Sequence, residues 1–152
     1  MRTLVIGCGN ADRGDDAAGL LVAERLRSMG IDARDHTGDG LALLESWSQA
    51  DSVIIVDAVI SGASVGAISV WDARTAPVAR DLFRASSHAF GVAEAVELGR
   101  ALDRLPASLT IYGIEARQFE PGAPPSLEVL AAVEEVASRI AKEVHSAGGH
   151  EC

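Results

Sequence analysis

Three short β-branched runs constrain this chain most. Thr3-Leu4-Val5-Ile6-Gly7-Cys8, Ser52-Val53-Ile54-Ile55-Val56-Asp57-Ala58 and Leu109-Thr110-Ile111-Tyr112-Gly113-Ile114 are too short for helices and too continuously apolar for strands with one wet face. They read as strands buried on both sides. Helical patterns lie between them. From Asp15 onward, Ala18, Val22, Leu26 and Met29 form one apolar stripe, which Gly30 ends. A shorter helix spans Leu41 to Trp47, and another runs from Ala89 to Leu105, where Pro106 stops it. The last follows Pro124-Pro125, with Ser126 as its N-cap and a stripe of Leu130, Val133, Ala137, Ile140 and Val144. Strands alternating with helices build βαβ units and a parallel sheet covered on both faces. Ile31–Asp35 and Gly66–Trp71 read as further strands, the second antiparallel or at an edge. The expected fold class is therefore α/β, a three-layer α/β/α sandwich with a mostly parallel sheet of about five strands. One domain is expected over residues 1–145, with 146–152 as a flexible C-terminal tail.

Composition narrows the function classes. A chain of 152 residues suits one domain, and folding should remove roughly 68–70% of its surface from water. With 48% hydrophobic residues it is not a disordered chain. Asp and Glu number 22 against 13 Lys and Arg, and this net charge of -9 argues against binding a polyphosphate backbone. Two cysteines, Cys8 and Cys152, make no disulfide framework, which fits a reducing compartment. Only Leu4-Val5-Ile6 follows the Met1-Arg2-Thr3 start, which does not resemble an export signal. No apolar run reaches the roughly 18 residues of a membrane span. A cytoplasmic domain with no nucleic-acid or membrane partner is expected.

Ligands of open α/β sheets gather beyond the carboxyl ends of the strands. Three segments have that address: the loop from Gly7 to Asp16, the strand-end Asp57, and Ser86-Ser87-His88-Ala89-Phe90-Gly91. Gly7-Cys8-Gly9 invites a dinucleotide reading, but Asp12 stands where the fingerprint needs its third glycine. Asp12, Asp15 and Asp16 would also repel a pyrophosphate. A single acid in this loop would read as a helix cap; an adjacent pair exceeds what capping requires. Asp57 lies within an apolar stretch, where a carboxylate must be paired, hydrogen-bonded or metal-bound, and capping a neighbouring loop weighs about as heavily as a site role. His88 reads equally as a ligand or as a hydrogen-bonding group at a helix start. Two carboxylates and an imidazole, if they converge, offer oxygen and nitrogen donors to a divalent transition metal. Cys8 has no visible base to make it a nucleophile. The tail residues His145, His150 and Cys152 suit adventitious metal binding more than a built site.

Taken together, these segments resemble the hydrogenase maturation endopeptidases. The family's opening motif is answered by Gly7-Cys8-Gly9-Asn10, Asp15-Asp16 and Gly19. Its second acid is answered by Val56-Asp57-Ala58, and its helix-opening histidine by His88-Ala89-Phe90-Gly91. Gly113-Ile114-Glu115, Phe119 and Gly122 match its closing segment. The resemblance runs from Met1 to about Val144, and the motifs together are far more specific than any one of them.

The resemblance implies a peptidase that removes the C-terminal peptide of a nickel–iron hydrogenase large-subunit precursor. It implies Asp16, Asp57 and His88 as catalytic and metal-binding residues, facing nickel carried by the precursor's own cysteines. Another divalent metal could stand in for nickel in vitro. The expected partner is the precursor, met by a monomer of this chain. Two loops depart from the family pattern, Thr37-Gly38 with Gly40 after the second strand, and Ala11-Asp12-Arg13-Gly14 after Asn10. Both are expected to face the precursor. The alternative from another class is a non-catalytic module that senses a metal centre during assembly.

Overall fold

A computed structural model describes residues 2–83 and 90–148. Five strands form one sheet: β1 (Thr3–Cys8), β2 (Ala33–His36), β3 (Ser52–Val59), β4 (Ile68–Asp72) and β5 (Ser108–Glu115). Their order is β2-β1-β3-β5-β4. All neighbouring pairs are parallel except β4 with β5, so the Gly66–Trp71 run is an antiparallel edge strand. The helices are α1 (Ala18–Ser28), α2 (Gly40–Ser46), α3 (Val92–Ala101) and α4 (Leu127–Gly148).

Side-chain alternation divides the core into two layers. Leu4, Ile6, Val53, Ile55, Leu109 and Ile111 face α2 and α3, where Leu43, Trp47, Val92 and Val96 meet them. Val5, Ile54, Val56, Tyr112 and Ile114 face α1 and α4, against Val22, Leu26, Val133 and Ile140. The α/β/α sandwich with five strands is what the alternating runs called for.

Several details differ from the sequence reading. In α4 the buried stripe includes Val129 and Val136, whereas Leu130 is 40% exposed at a groove shared with Leu21 of α1. Met29 lies just beyond α1, half-exposed, where Gly30 (φ 81) turns the chain and Ile31 N–H bonds the Leu26 carbonyl. The helix assigned up to Leu105 ends at Ala101, because Asp103 takes a left-handed conformation (φ 55) and Arg104 N–H closes on the Gly99 carbonyl. At the chain's end, α4 continues to Gly148, so residues 146–148 are helical. Residues 149–152 of the expected tail, with His150 and Cys152, lie outside the described residues.

Candidate active site

From β1 the chain crosses by α1 to β2 on one side, then by α2 to β3 on the other. Strand order therefore reverses between β1 and β3, and the crevice beyond their carboxyl ends is a topological switch point. Asp57 sits near the end of β3 at this place, in register with Gly113 of β5. Asp16 arrives from the loop after β1, in a short 3-10 turn over Gly14–Ala17 that leads into α1. Glycines bring this loop close. A Cβ on Gly19 would overlap the carbonyl oxygens of Cys8 and Val56, so the start of α1 lies directly on the ends of β1 and β3. Gly19 thus supplies the close helix–strand packing for which the dinucleotide fingerprint uses its third glycine.

Asp16 and Asp57 are both buried, 5% exposed each, and the charge of Asp16 disfavours that of Asp57. Burial pushes the Asp16 carboxyl up to about 6, against the opposing pull of the Arg13 guanidinium. Asp57 is pushed well above the usual carboxylate range, by burial first and then by the charge of Asp16; the Ala58 N–H acts in the other direction. That N–H donates to Asp57 Oδ1 at 2.8 Å. Among the described residues no donor reaches the Asp16 carboxylate. The two acids therefore make a pair whose protonated forms burial favours, with the Arg13 guanidinium acting against this at Asp16.

Their neighbours Asp15 and Glu115 are equally buried and quite different. Asp15 accepts hydrogen bonds from the N–H groups of Arg117 and Gln118 (both 2.9 Å), from Ser126 N–H (2.6 Å) and from the Ser126 hydroxyl (2.9 Å). Burial pushes the Asp15 carboxyl up, but these donors outweigh it and hold it below its ordinary value. Glu115 ends β5 and accepts from the N–H groups of Ser61 and Gly62 and from the Ser61 hydroxyl, which fixes the loop after β3. Neither role was visible in the sequence. Ser126, expected as an N-cap through its hydroxyl, gives that hydroxyl to Asp15 instead.

His88 falls in the segment 84–89, outside the described residues. Both flanks of that segment belong to the site's end of the sheet. Leu82 accepts the Ile60 N–H just past β3, and Phe90 accepts the Gly40 N–H at the start of α2. Among the described residues no group of three His, Cys, Asp or Glu side chains is placed to hold a metal.

A family model described as hydrogenase maturation protease matches residues 31–143. The chain belongs to the hydrogenase maturation protease family. It is 29% identical to the hydrogenase 2 maturation protease of Escherichia coli over 140 residues, covering 86% of this chain and 84% of that one. The NiFe hydrogenase maturation protease HybD from Thermococcus kodakarensis has the same fold, with a TM-score of 0.72, 27% identity, and coverage of 95% of this chain and 99% of that chain. The hydrogenase maturating endopeptidase HybD from E. coli aligns with a TM-score of 0.78 over 97% of this chain and 94% of its own, and at 24% identity it speaks to the fold. Family membership makes the chain a peptidase and sets aside the non-catalytic module and the nucleotide-binding reading.

In this protease Cys8 is buried and free. Burial pushes its thiol well up, and the charges of Asp57 and Asp16 push it further. The thiolate is the nucleophilic form, so the site itself opposes a nucleophilic Cys8. The two departing loops stand at the rim. The loop after β2 packs on Phe90 and Gly91, where a Cβ on Gly40 would collide. The Ala11–Gly14 loop is tied to the segment after β5, with Gly122 N–H bonded to the Asp12 carbonyl at 2.6 Å. Among the described residues no helix is long and apolar enough to cross a membrane.

Proposed function

We propose that this protease removes the C-terminal peptide from a nickel-loaded large-subunit precursor of a nickel–iron hydrogenase. Asp16, Asp57 and His88 face the nickel that the precursor brings. The carrying observation is the pair Asp16 and Asp57, two buried carboxylates at the switch point, one from the turn before α1 and one from the end of β3, whose charged forms burial disfavours. A divalent ion docked there supplies positive charge and displaces the protons that burial favours. Oxygen and nitrogen donors with open positions suit nickel, which the precursor's own cysteines already hold. The anchoring of Leu82 and Phe90 at this end of the sheet supports His88 as the third donor. Nickel so placed polarises the scissile carbonyl or activates a water beside it. Cleavage is then confined to precursors loaded with metal. In this reading the protease works as a monomer in the cytoplasm.

The test mixes purified protease with nickel-free and nickel-loaded precursor and follows release of the C-terminal peptide by mass. Release from the loaded form alone is expected. Equal cleavage of both forms would overturn the metal gating. Loss of cleavage in His88→Ala is expected too, and an unimpaired variant would remove His88 from the site.

A further inference from the structure

The buried acid that the proposed chemistry does not use is Asp15, and its bonds run in one direction. No part of its carboxylate caps the turn in which it sits. All four of its hydrogen bonds cross to the segment Arg117–Ser126, more than a hundred residues away in sequence. The backbone is joined at the same place. Asp15 N–H bonds the Gln118 carbonyl at 2.7 Å; Gly14 takes a left-handed φ of 56°, and a Cβ there would press on that same carbonyl, so both conformation and space call for glycine. On the near side of the turn, the Asp12 carbonyl accepts the Gly122 N–H. The turn is thus stitched on both sides of Gly14 to the loop after β5.

Asp16 is the next residue along. Among the described residues no donor orients its carboxylate, so its position is inherited from the backbone of this turn. Inside the turn that backbone is held by the Asp16 N–H on Arg13 and the Asn10 N–H on Asp16, at 3.1 and 3.2 Å. The shorter contacts are those made by Asp15. Adjacent Cα atoms are about 3.8 Å apart, so releasing Asp15 frees the backbone beside Asp16 and leaves only the two longer bonds within the turn to hold it. Misplacing a reacting group by about 1 Å can cost about 100-fold in rate.

We propose that Asp15 is a positioning residue of this protease: its carboxylate holds the Arg117–Ser126 loop and thereby sets the place of Asp16 over the switch point. The proposal rests on the reading of Asp16 as a site residue. It differs from plain stabilisation in what it demands of turnover. A purely structural Asp15 would change how much protein is folded, whereas a positioning Asp15 changes the rate of each folded molecule.

The experiment measures kcat and KM for peptide release from nickel-loaded precursor, with rates referred to the fraction of protease folded by circular dichroism. Three variants are compared. Asp15→Asn places an amide among N–H donors, and should lower kcat about 10- to 100-fold while KM stays within about twofold. Ser126→Ala keeps the carboxylate and its three backbone donors, and should lower kcat about threefold in the same manner. Asp16→Ala should be inactive. An unchanged kcat per folded molecule in both Asp15→Asn and Ser126→Ala, or a loss that falls on KM, overturns the positioning role. Should Asp15→Asn not fold, the Ser126→Ala result decides. If Asp16→Ala cleaves at the wild-type rate, the site reading itself has failed, and that outcome is separate from any result at Asp15.

Discussion

Asp15 and Asp16 are adjacent in sequence and equally hidden from solvent, yet the fold treats them in opposite ways. Asp15 points to the loop after β5 and is held ionised by four donors. Asp16 acts through its charge on Asp57, meets no donor among the described residues, and keeps its proton up to about 6. The same division separates Glu115, bound by Ser61 and Gly62, from Asp57. A buried carboxylate is costly until donors or cations satisfy it. Two of these acids are satisfied from within and hold the loops together. Of the other two, among the described residues Asp57 accepts the Ala58 N–H and Asp16 has no donor, and these are the two that the proposed reaction turns toward nickel.

The comparison breaks first on activity. Asp16→Ala, Asp57→Asn and His88→Ala should each lower peptide release at least about 1,000-fold, checked by the mass of the precursor after incubation. Full activity in either Asp variant would end the claim that this pair is reserved for substrate.

Stability gives the next largest contrast. Asp15→Asn leaves buried N–H groups facing an amide, and should cost about 2–4 kcal/mol at pH 7 in urea unfolding. The sign with pH follows from its depressed native value. The carboxylate's contribution is present above the unfolded-state value and is lost as pH falls through the folded one, so the deficit shrinks in acid. A deficit that grows in acid would contradict the donor arrangement.

Asp16→Asn should act the other way. Between about pH 4 and 6 the native state holds a proton that the unfolded chain has released, so native stability falls as pH rises through this window. Removing the carboxyl should stabilise the protein by about 1 kcal/mol above pH 6 and leave it unchanged near pH 4, read as the shift of melting temperature. Glu115→Gln should have the smallest effect, about 1 kcal/mol of destabilisation, because one oxygen remains for Ser61 and Gly62. A gain in stability for Glu115→Gln would place it with Asp57 instead.

Much of this arrangement can be read in the chain before folding. The β-branched runs locate β1, β3 and β5 because a buried parallel strand needs apolar side chains on both faces. The stop at Gly30 is legible because the left-handed turn after α1 favours glycine. Asp57 stands out as an acid in an apolar stretch. What could not be read are contacts between distant segments. The donors to Asp15 lie 102, 103 and 111 residues away, so nothing near it marks it as the anchored member of the acidic pair. Ser126 looks like a helix cap by every local rule, and only the approach of Asp15 redirects its hydroxyl. The stripe of α4 is shifted for a similar reason: α1 lies beside it, so Val129 and Val136 are covered and Leu130 is left at the groove.

The sequence by itself determined the elements, the layers and which residue types could meet beyond the sheet, because strand and helix periodicity act over a few residues. The tertiary structure decided which acids are satisfied and which are left open. That division depends on where N–H and hydroxyl donors from remote loops arrive, and on burial that raises the cost of charge only once the chain has closed around it.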